Sequence, residues 1–313
     1  MAHAVVARPP RTPFVERTQI EHHVSDMTVT AGADVTLGTL QALLAQQRQW
    51  LPVDGDDAET LGALVLRNST GPLRLGYGAW RDMLLGAQFT DGASGLVTVG
   101  GRVVKNVAGY DVTKFLVGSH GLIGTPVTVT TRCYLRPAGA ILARFAPDVA
   151  RLSSLLPTDL CPQYALLTRD SLLCGYLGDD ATLAFYDKHL HALSDARQVD
   201  RVPLDQDVDL RRLQWSYHKR FRASVPSTNI AAFVRDAKLE RWGADACFGI
   251  VVGSDRVDPE RVNAIAKSLG GWAIGFDDTG KPLNMPLEPS VRTIVDRLRK
   301  SFDPESKLAS LPH

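Results

Sequence analysis

The sequence predicts an α+β protein of two domains, and three observations carry that reading. Segments such as "TPVTVTTRCYLRP" (125–137) alternate apolar and polar positions, the period of a half-buried strand. Others, such as "ERVNAIAKSLGG" (260–271), space apolar residues three and four apart, the period of a helix packed on one face. The texture then changes near residue 140, from strands crowded by glycine turns to strands alternating with longer helices, which predicts domains over 1–140 and 141–313. With 313 residues, 44% hydrophobic and 22% charged, the chain is long enough to fill two cores.

Taken in order, "VSDMTVT" (24–30) alternates as a strand, and "TLGTLQALLAQQRQW" (36–50) places Leu37, Leu40, Leu43 and Leu44 on one helical face. Residues 51–78 are punctuated by Pro52, Gly55, Gly62, Gly71, Pro72, Gly76 and Gly78, so they read as loop around one small element. "DMLLGAQFTDGASGLVTVGG" (82–101) is two apolar runs about a glycine-rich turn, a hairpin. In the second half, "ALLTRDSLLCGYLG" (165–178) and "CFGIVVGSD" (247–255) read as strands of an antiparallel sheet, and "PSVRTIVDRLRKSF" (289–302) as a helix.

Charge and composition exclude several classes. Thirty-five basic residues against thirty-four acidic ones leave no net field to draw nucleic acid or an anionic membrane. The apolar run before Arg8 is too short for a signal peptide or a membrane span, so direct membrane insertion is not expected. Cys133, Cys161, Cys174 and Cys247 form no CxxC pair, which predicts neither metal centre nor iron–sulfur ligands and agrees with a cytoplasmic location. His22 and His23 are adjacent and diverge on a strand, which disfavours a shared metal. The basic tract "RRLQWSYHKRFR" (211–222) reads as a solvated face, with a subunit contact as the second reading.

The chemistry concentrates in "GGRVVKNVAGYDVTKFLVGSHGLIG" (100–124). Clustered glycines let a ligand approach the main chain, where N–H groups meet phosphate or a flat ring. The spacing is neither G-x-G-x-x-G nor a Walker A motif. What it resembles, through "KNVAGYD" followed by "GSHGLIG" and a strand, is the FAD-binding domain of the vanillyl-alcohol oxidase type. Within that type it is similar to the FAD-binding subunits of bacterial glycolate oxidases. Leu51-Pro52, Thr60-Leu61-Gly62-Ala63, Gly71-Pro72 and Arg81-Asp82 stand in the order that this family's pattern requires, and "LRKSFDPESKL" (298–308) is similar to its C-terminal ending.

The resemblance implies a two-domain flavoprotein of the PCMH type, with a cap or substrate domain after the FAD-binding domain. It implies FAD as cofactor, held by Pro52, Thr60, Gly62, Gly71, Lys105, Asn106, Gly109, Tyr110, Asp111, Gly118, Gly121 and Gly124. It implies oxidation of a small 2-hydroxy acid such as glycolate, with the flavin taking the hydride. It also implies work beside a second flavoprotein subunit and an iron–sulfur subunit, any inner-membrane association coming through those partners.

Three departures accompany it, one of them "ASLPH" (309–313) where the family's ending has Asn-Pro-Gly. The family's first phosphate loop, glycine-rich, is expected well before the strand at "DMTVTAG", yet residues 1–31 contain no glycine. Ala63 replaces the second glycine of the Gly-Gly turn, where a positive φ would cost an alanine about 1 kcal/mol. These leave open a second reading, a non-catalytic scaffold that keeps the flavoprotein fold with weak or no FAD binding. A third reading, a flavin reductase of the UDP-N-acetyl-enolpyruvoylglucosamine type, is disfavoured by "KNVAGYD". A 2-hydroxy-acid dehydrogenase also needs a base and a cation converging on the flavin. Apart from the lone His120 between glycines, the sequence names neither.

Overall fold

Ile20–His23 (β1) and Thr28–Gly32 (β2) pair antiparallel, and the four residues between them turn the chain. The strand expected from Val24 therefore starts late. Asp26 and Met27 donate their N–H groups to His23 and Val24, closing a turn with Met27 at φ 51°. The computed structural model describes residues 19–69, 71–93, 95–101, 113–215, 220–278, 282–284 and 289–308, without the side chains of 213–215.

Helix α1 (Leu37–Ala45) starts where the Thr36 hydroxyl accepts the Thr39 N–H, and it buries Leu37, Leu40 and Leu44. The two-residue strand β3 (Gln49–Trp50) follows, then α2 (Leu61–Arg67), capped in the same way by Thr60. Two single-turn helices, α3 (Arg74–Tyr77) and α4 (Trp80–Met83), lead into the hairpin β4 (Leu84–Thr90) and β5 (Leu96–Gly100). The expected single element in 51–78 is thus two helices, α2 and α3. The turn α5 (Thr113–Leu116) precedes β6 (Thr125–Arg132), which lies between β2 and β4 in a five-stranded antiparallel sheet ordered β1-β2-β6-β4-β5. Val29, Leu40, Leu64, Trp80, Phe89 and Val129 make its core. Each such side chain contributes about 1.5–3 kcal/mol on burial.

Strand β7 (Tyr134–Leu135) pairs with β3, and the chain enters a second sheet at β8 (Gly139–Phe145). Then come α6 (Leu152–Leu155), β9 (Tyr164–Leu167), β10 (Leu172–Gly178), α7 (Asp180–His191), β11 (Gln198–Pro203) and α8 (Leu204–Trp215). The remaining elements are β12 (Phe221–Ser224), α9 (Ile230–Ala237), β13 (Trp242–Asp245), β14 (Ile250–Gly253), α10 (Pro259–Ser268), β15 (Trp272–Gly275) and α11 (Pro289–Phe302). Eight strands pair antiparallel in the order β11-β8-β10-β9-β13-β14-β12-β15.

That sheet is covered on both faces, which positions the site. Phe145, Tyr176, Phe221, Phe233, Leu183 and Val262 join it to α7, α9 and α10 on one side. On the other, Leu142, Leu166, Leu173 and Val252 share a core with Trp50 and Leu73 from the first half of the chain. Helix α11 returns to the first sheet, where Val295 and Phe302 pack on its core. Among the described residues no helix is long and apolar enough to cross a membrane.

Candidate active site

The start of α2 is closed by its own chain. Leu61 and Gly62 donate their N–H groups to the carbonyls of Val35 and Ala33, both at 2.9 Å, and Ala63 donates to the Thr60 hydroxyl. Gly62 lies flat on the β2–α1 connection, where a Cβ would stand 3.1 Å from that of Ala33. Ala63 is helical and not among the positive-φ residues, so the backbone cost expected for it does not arise.

The other end of α2 is open. Asn68 ends the helix in the left-handed region at φ 52°. The turn of Gly118, Ser119, His120 and Gly121 folds against it, with Gly118 N–H on the Val65 carbonyl and His120 N–H on the Leu66 carbonyl, both 3.0 Å. Gly118, His120 and Gly121 all take positive φ, 75°, 52° and 82°. A Cβ on Gly118 would meet only the Asn68 Cβ, at 3.5 Å. Behind them Trp80 Nε1 holds the Ser69 carbonyl at 2.9 Å.

Two buried polar atoms in this cradle, Asn68 Oδ1 and Ser119 Oγ, have no hydrogen-bond partner among the described residues. Each such atom costs about 1–3 kcal/mol unless a ligand or water completes it. FAD, with its hydroxyl, phosphate and amide groups, offers suitable partners, so the cradle fits the cofactor.

One face of the eight-stranded sheet looks toward the first half of the chain. Side chains paired across strands share a face. Arg222 pairs with Val252, and Asp245 with Ile250 and Leu166. Those three apolar residues belong to the core shared with Trp50 and Leu73, so Arg222 and Asp245 also face the first half of the chain. Arg222 Nε is buried without a partner among the described residues. Burial, then the neighbouring Arg74 and against it Asp245, sets a lowered pKa on this guanidinium. Arg74, on α3, stands 4.5 Å over the Phe248 ring. Asp245 takes the N–H groups of Cys247 and Phe248 at 3.1 and 3.2 Å, yet burial pushes its carboxyl up to about 7.

His120 connects the two surfaces. Burial, followed by the fields of Arg67 and Arg222, holds its imidazole below the usual histidine range. Residues about a hundred positions apart in the sequence thus come within each other's field beside the cradle. Sequence reasoning missed this pair. It read 211–222 as solvated, whereas Arg211 is buried and Arg222 points inward from β12.

The residues named from sequence divide as follows. Gly118 and Gly121 form the cradle with Asn68. Thr60 caps α2, Gly62 packs on Ala33, and Pro52 is buried beside Val53 and Asp54. Gly124 lies under Phe89, whose ring a Cβ would approach to 2.3 Å. Gly71, at φ 72°, abuts Asp54. Lys105, Asn106, Gly109, Tyr110 and Asp111 lie outside the described residues. Asn68 and Ser119 were not named, although Asn at a helix end before a glycine turn is a recognisable left-handed cap.

Comparison with known proteins accords with this geometry. Residues 16–101 match the family described as "FAD binding domain". Glycolate oxidase subunit GlcE of Escherichia coli is 33% identical over 129 residues, which cover 40% of this chain and 37% of that protein. Glycolate oxidase subunit GlcD of Bacillus subtilis is 29% identical over 118 residues, 36% of this chain and 25% of that one. D-lactate dehydrogenase of Archaeoglobus fulgidus is 29% identical over 118 residues, 37% of this chain and 27% of that one. The matched stretches therefore span between about a quarter and two fifths of these relatives' lengths. The solved structure of alkyldihydroxyacetonephosphate synthase superposes with a TM-score of 0.63 at 13% identity, over 92% of this chain and 65% of that one. The chain is thus related to FAD-linked oxidoreductases, carries an FAD binding domain on the α+β flavoprotein fold of the vanillyl-alcohol oxidase type, and has FAD as its cofactor.

Proposed function

We propose that the chain oxidises a small 2-hydroxy acid of the glycolate kind, as the FAD-binding subunit of a glycolate oxidase-like complex. The observation that carries this reading is the placement beside the cradle of Asn68 and Ser119 of His120 and, within its field, Arg222, whose Nε has no partner among the described residues. A 2-hydroxy acid presents a carboxylate and a hydroxyl on adjacent carbons. Arg222 offers the carboxylate a cation already stripped of water, and His120, held neutral, accepts the hydroxyl proton. FAD supplies the two-electron acceptor when bound. Asn68, Ser119, Gly118 and Gly121 hold the cofactor, together with Gly71 and the Lys105–Asp111 segment. The chain divides near residue 140 into the FAD-binding domain and a cap whose sheet excludes water from the reacting atoms.

The likeness to glycolate oxidase subunits supports work within a multi-subunit complex; its partners in this reading are a second flavoprotein subunit and an iron–sulfur subunit, the whole cytoplasmic or attached to the inner membrane through them. The match to an FAD binding domain weighs against the scaffold reading. The test is to purify the chain, titrate it with FAD, and assay glycolate and D-lactate with an artificial electron acceptor. Visible flavin absorbance and acceptor reduction by either acid are expected. A colourless protein that takes up no FAD yet co-purifies with another flavoprotein would leave the scaffold reading standing.

A further inference from the structure

Arg211 on α8 is 1% exposed, and its charge is answered from both halves of the chain. Nη1 binds Asp54 Oδ1, in the segment between β3 and α2, while Nε donates to Asp207 Oδ2 at 2.9 Å and Nη2 stands 2.9 Å from that same oxygen as an ion pair, without a hydrogen bond among the described residues. Tyr164 donates its hydroxyl to the other Asp207 oxygen at 2.5 Å. Asp54 uses its second oxygen elsewhere, accepting the Leu73 N–H at 3.1 Å.

Leu73 immediately precedes α3, a helix that lacks a side-chain cap of its own, so Asp54 supplies the missing acceptor. Gly71 rests on the same carboxylate: at φ 72°, its Cβ would lie 2.4 Å from that of Asp54. The far side of α3 is tied to the second sheet, where Gly76 N–H meets the Gln163 carbonyl at 2.9 Å. Arg74 leaves this turn toward Phe248, Asp245 and Arg222.

We propose that Arg211 and Asp54 form a clamp that positions the Gly71–Arg74 turn, so that seating the eight-stranded sheet and organising the flavin cradle are one event. Arg211 is a positioning residue in this assignment, which rests on the reading of Gly71 as part of the FAD site and of Arg222, beside Arg74, as the substrate cation. A buried ion pair is poor value for stability alone, since apolar groups of similar volume do as well. What the planar fork adds is direction: with Nε fixed on Asp207, the rigid guanidinium aims Nη1 at Asp54.

The test uses the full chain freed of flavin and titrated with FAD, far-UV circular dichroism reporting the fold and visible circular dichroism the environment of the bound flavin. Arg211→Met is expected to weaken FAD binding about tenfold or more and to change the visible signal. Arg211→Lys keeps the charge without the fork and falls between. Arg212→Ala, which breaks the half-exposed bridge to Asp57 on the same helix, is expected to match wild type. If Arg211→Met does not fold, Arg211→Lys and Asp54→Asn decide. Folded variants with wild-type FAD affinity and an unchanged flavin signal overturn the clamp. Failure of the wild-type chain to bind FAD overturns the functional reading beneath it.

Discussion

Arg222 and His120 divide two tasks, and their variants separate them. Arg222→Met deletes a charged donor from the carboxylate site but leaves Asn68 and Ser119 in place. It is expected to raise KM for glycolate or D-lactate by roughly ten- to a hundredfold, with FAD affinity unchanged. His120 is held below the ordinary histidine pKa first by burial and then by Arg67 and Arg222. Its base form therefore persists to lower pH than in a free histidine. The kcat/KM profile should rise with pH through a midpoint below the usual 6.5 and then level, and His120→Gln should lack that limb. Neither residue announced itself in the sequence. A histidine between glycines has many surface precedents, and Arg222 ends a tract whose basic density suggests solvent. Only strand alternation decides its direction, because Phe221 and Ala223 turn to the opposite core.

At the scale of elements, hairpins and amphipathic helices were legible because their periodicity is their packing. The apolar spacing in 37–44 and 260–269 became the buried faces of α1 and α10, and the two runs flanking "DGASG" became β4 and β5. Single-turn helices such as α3 and α4 carry no period to read. Glycines were legible as special positions, but not for which reason. Gly124→Ala drives a Cβ to 2.3 Å from the Phe89 ring and 2.9 Å from the Thr90 carbonyl. It should cost about 1–3 kcal/mol of stability in a denaturant titration while the folded fraction binds FAD as wild type does. Gly118→Ala, at φ 75°, meets only the Asn68 Cβ, at an ordinary contact distance of 3.5 Å. It should cost only about 1 kcal/mol of stability, and its methyl group, standing over the cradle, should lower FAD affinity severalfold. The reverse pattern would place the cofactor at Gly124.

Across the whole molecule, the two halves meet through charge as well as apolar surface, and that makes stability depend on pH. Asp245 lies on the inner face of the second sheet, with Arg74 of the first half beside it. Burial raises its carboxyl to about 7, against the pull of the Phe248 and Cys247 N–H groups and of Arg74 and Arg222. The folded state then retains a proton that the unfolded chain, near the ordinary aspartate value of 3.8, has released. A raised folded pKa gives stability that is complete below the unfolded value and is lost as pH rises through the folded one. Between these limits the loss approaches about 1.4 kcal/mol per pH unit. Urea midpoints should therefore fall between about pH 5 and pH 7, and the fall should be shallower in Asp245→Asn, which has no proton to lose. An unchanged slope in that variant would mean that Arg74 and Arg222 outweigh burial and keep Asp245 ionised. Arg222 would then meet its substrate with a counter-charge already in place, and Asp245→Asn should tighten KM for the hydroxy acid instead.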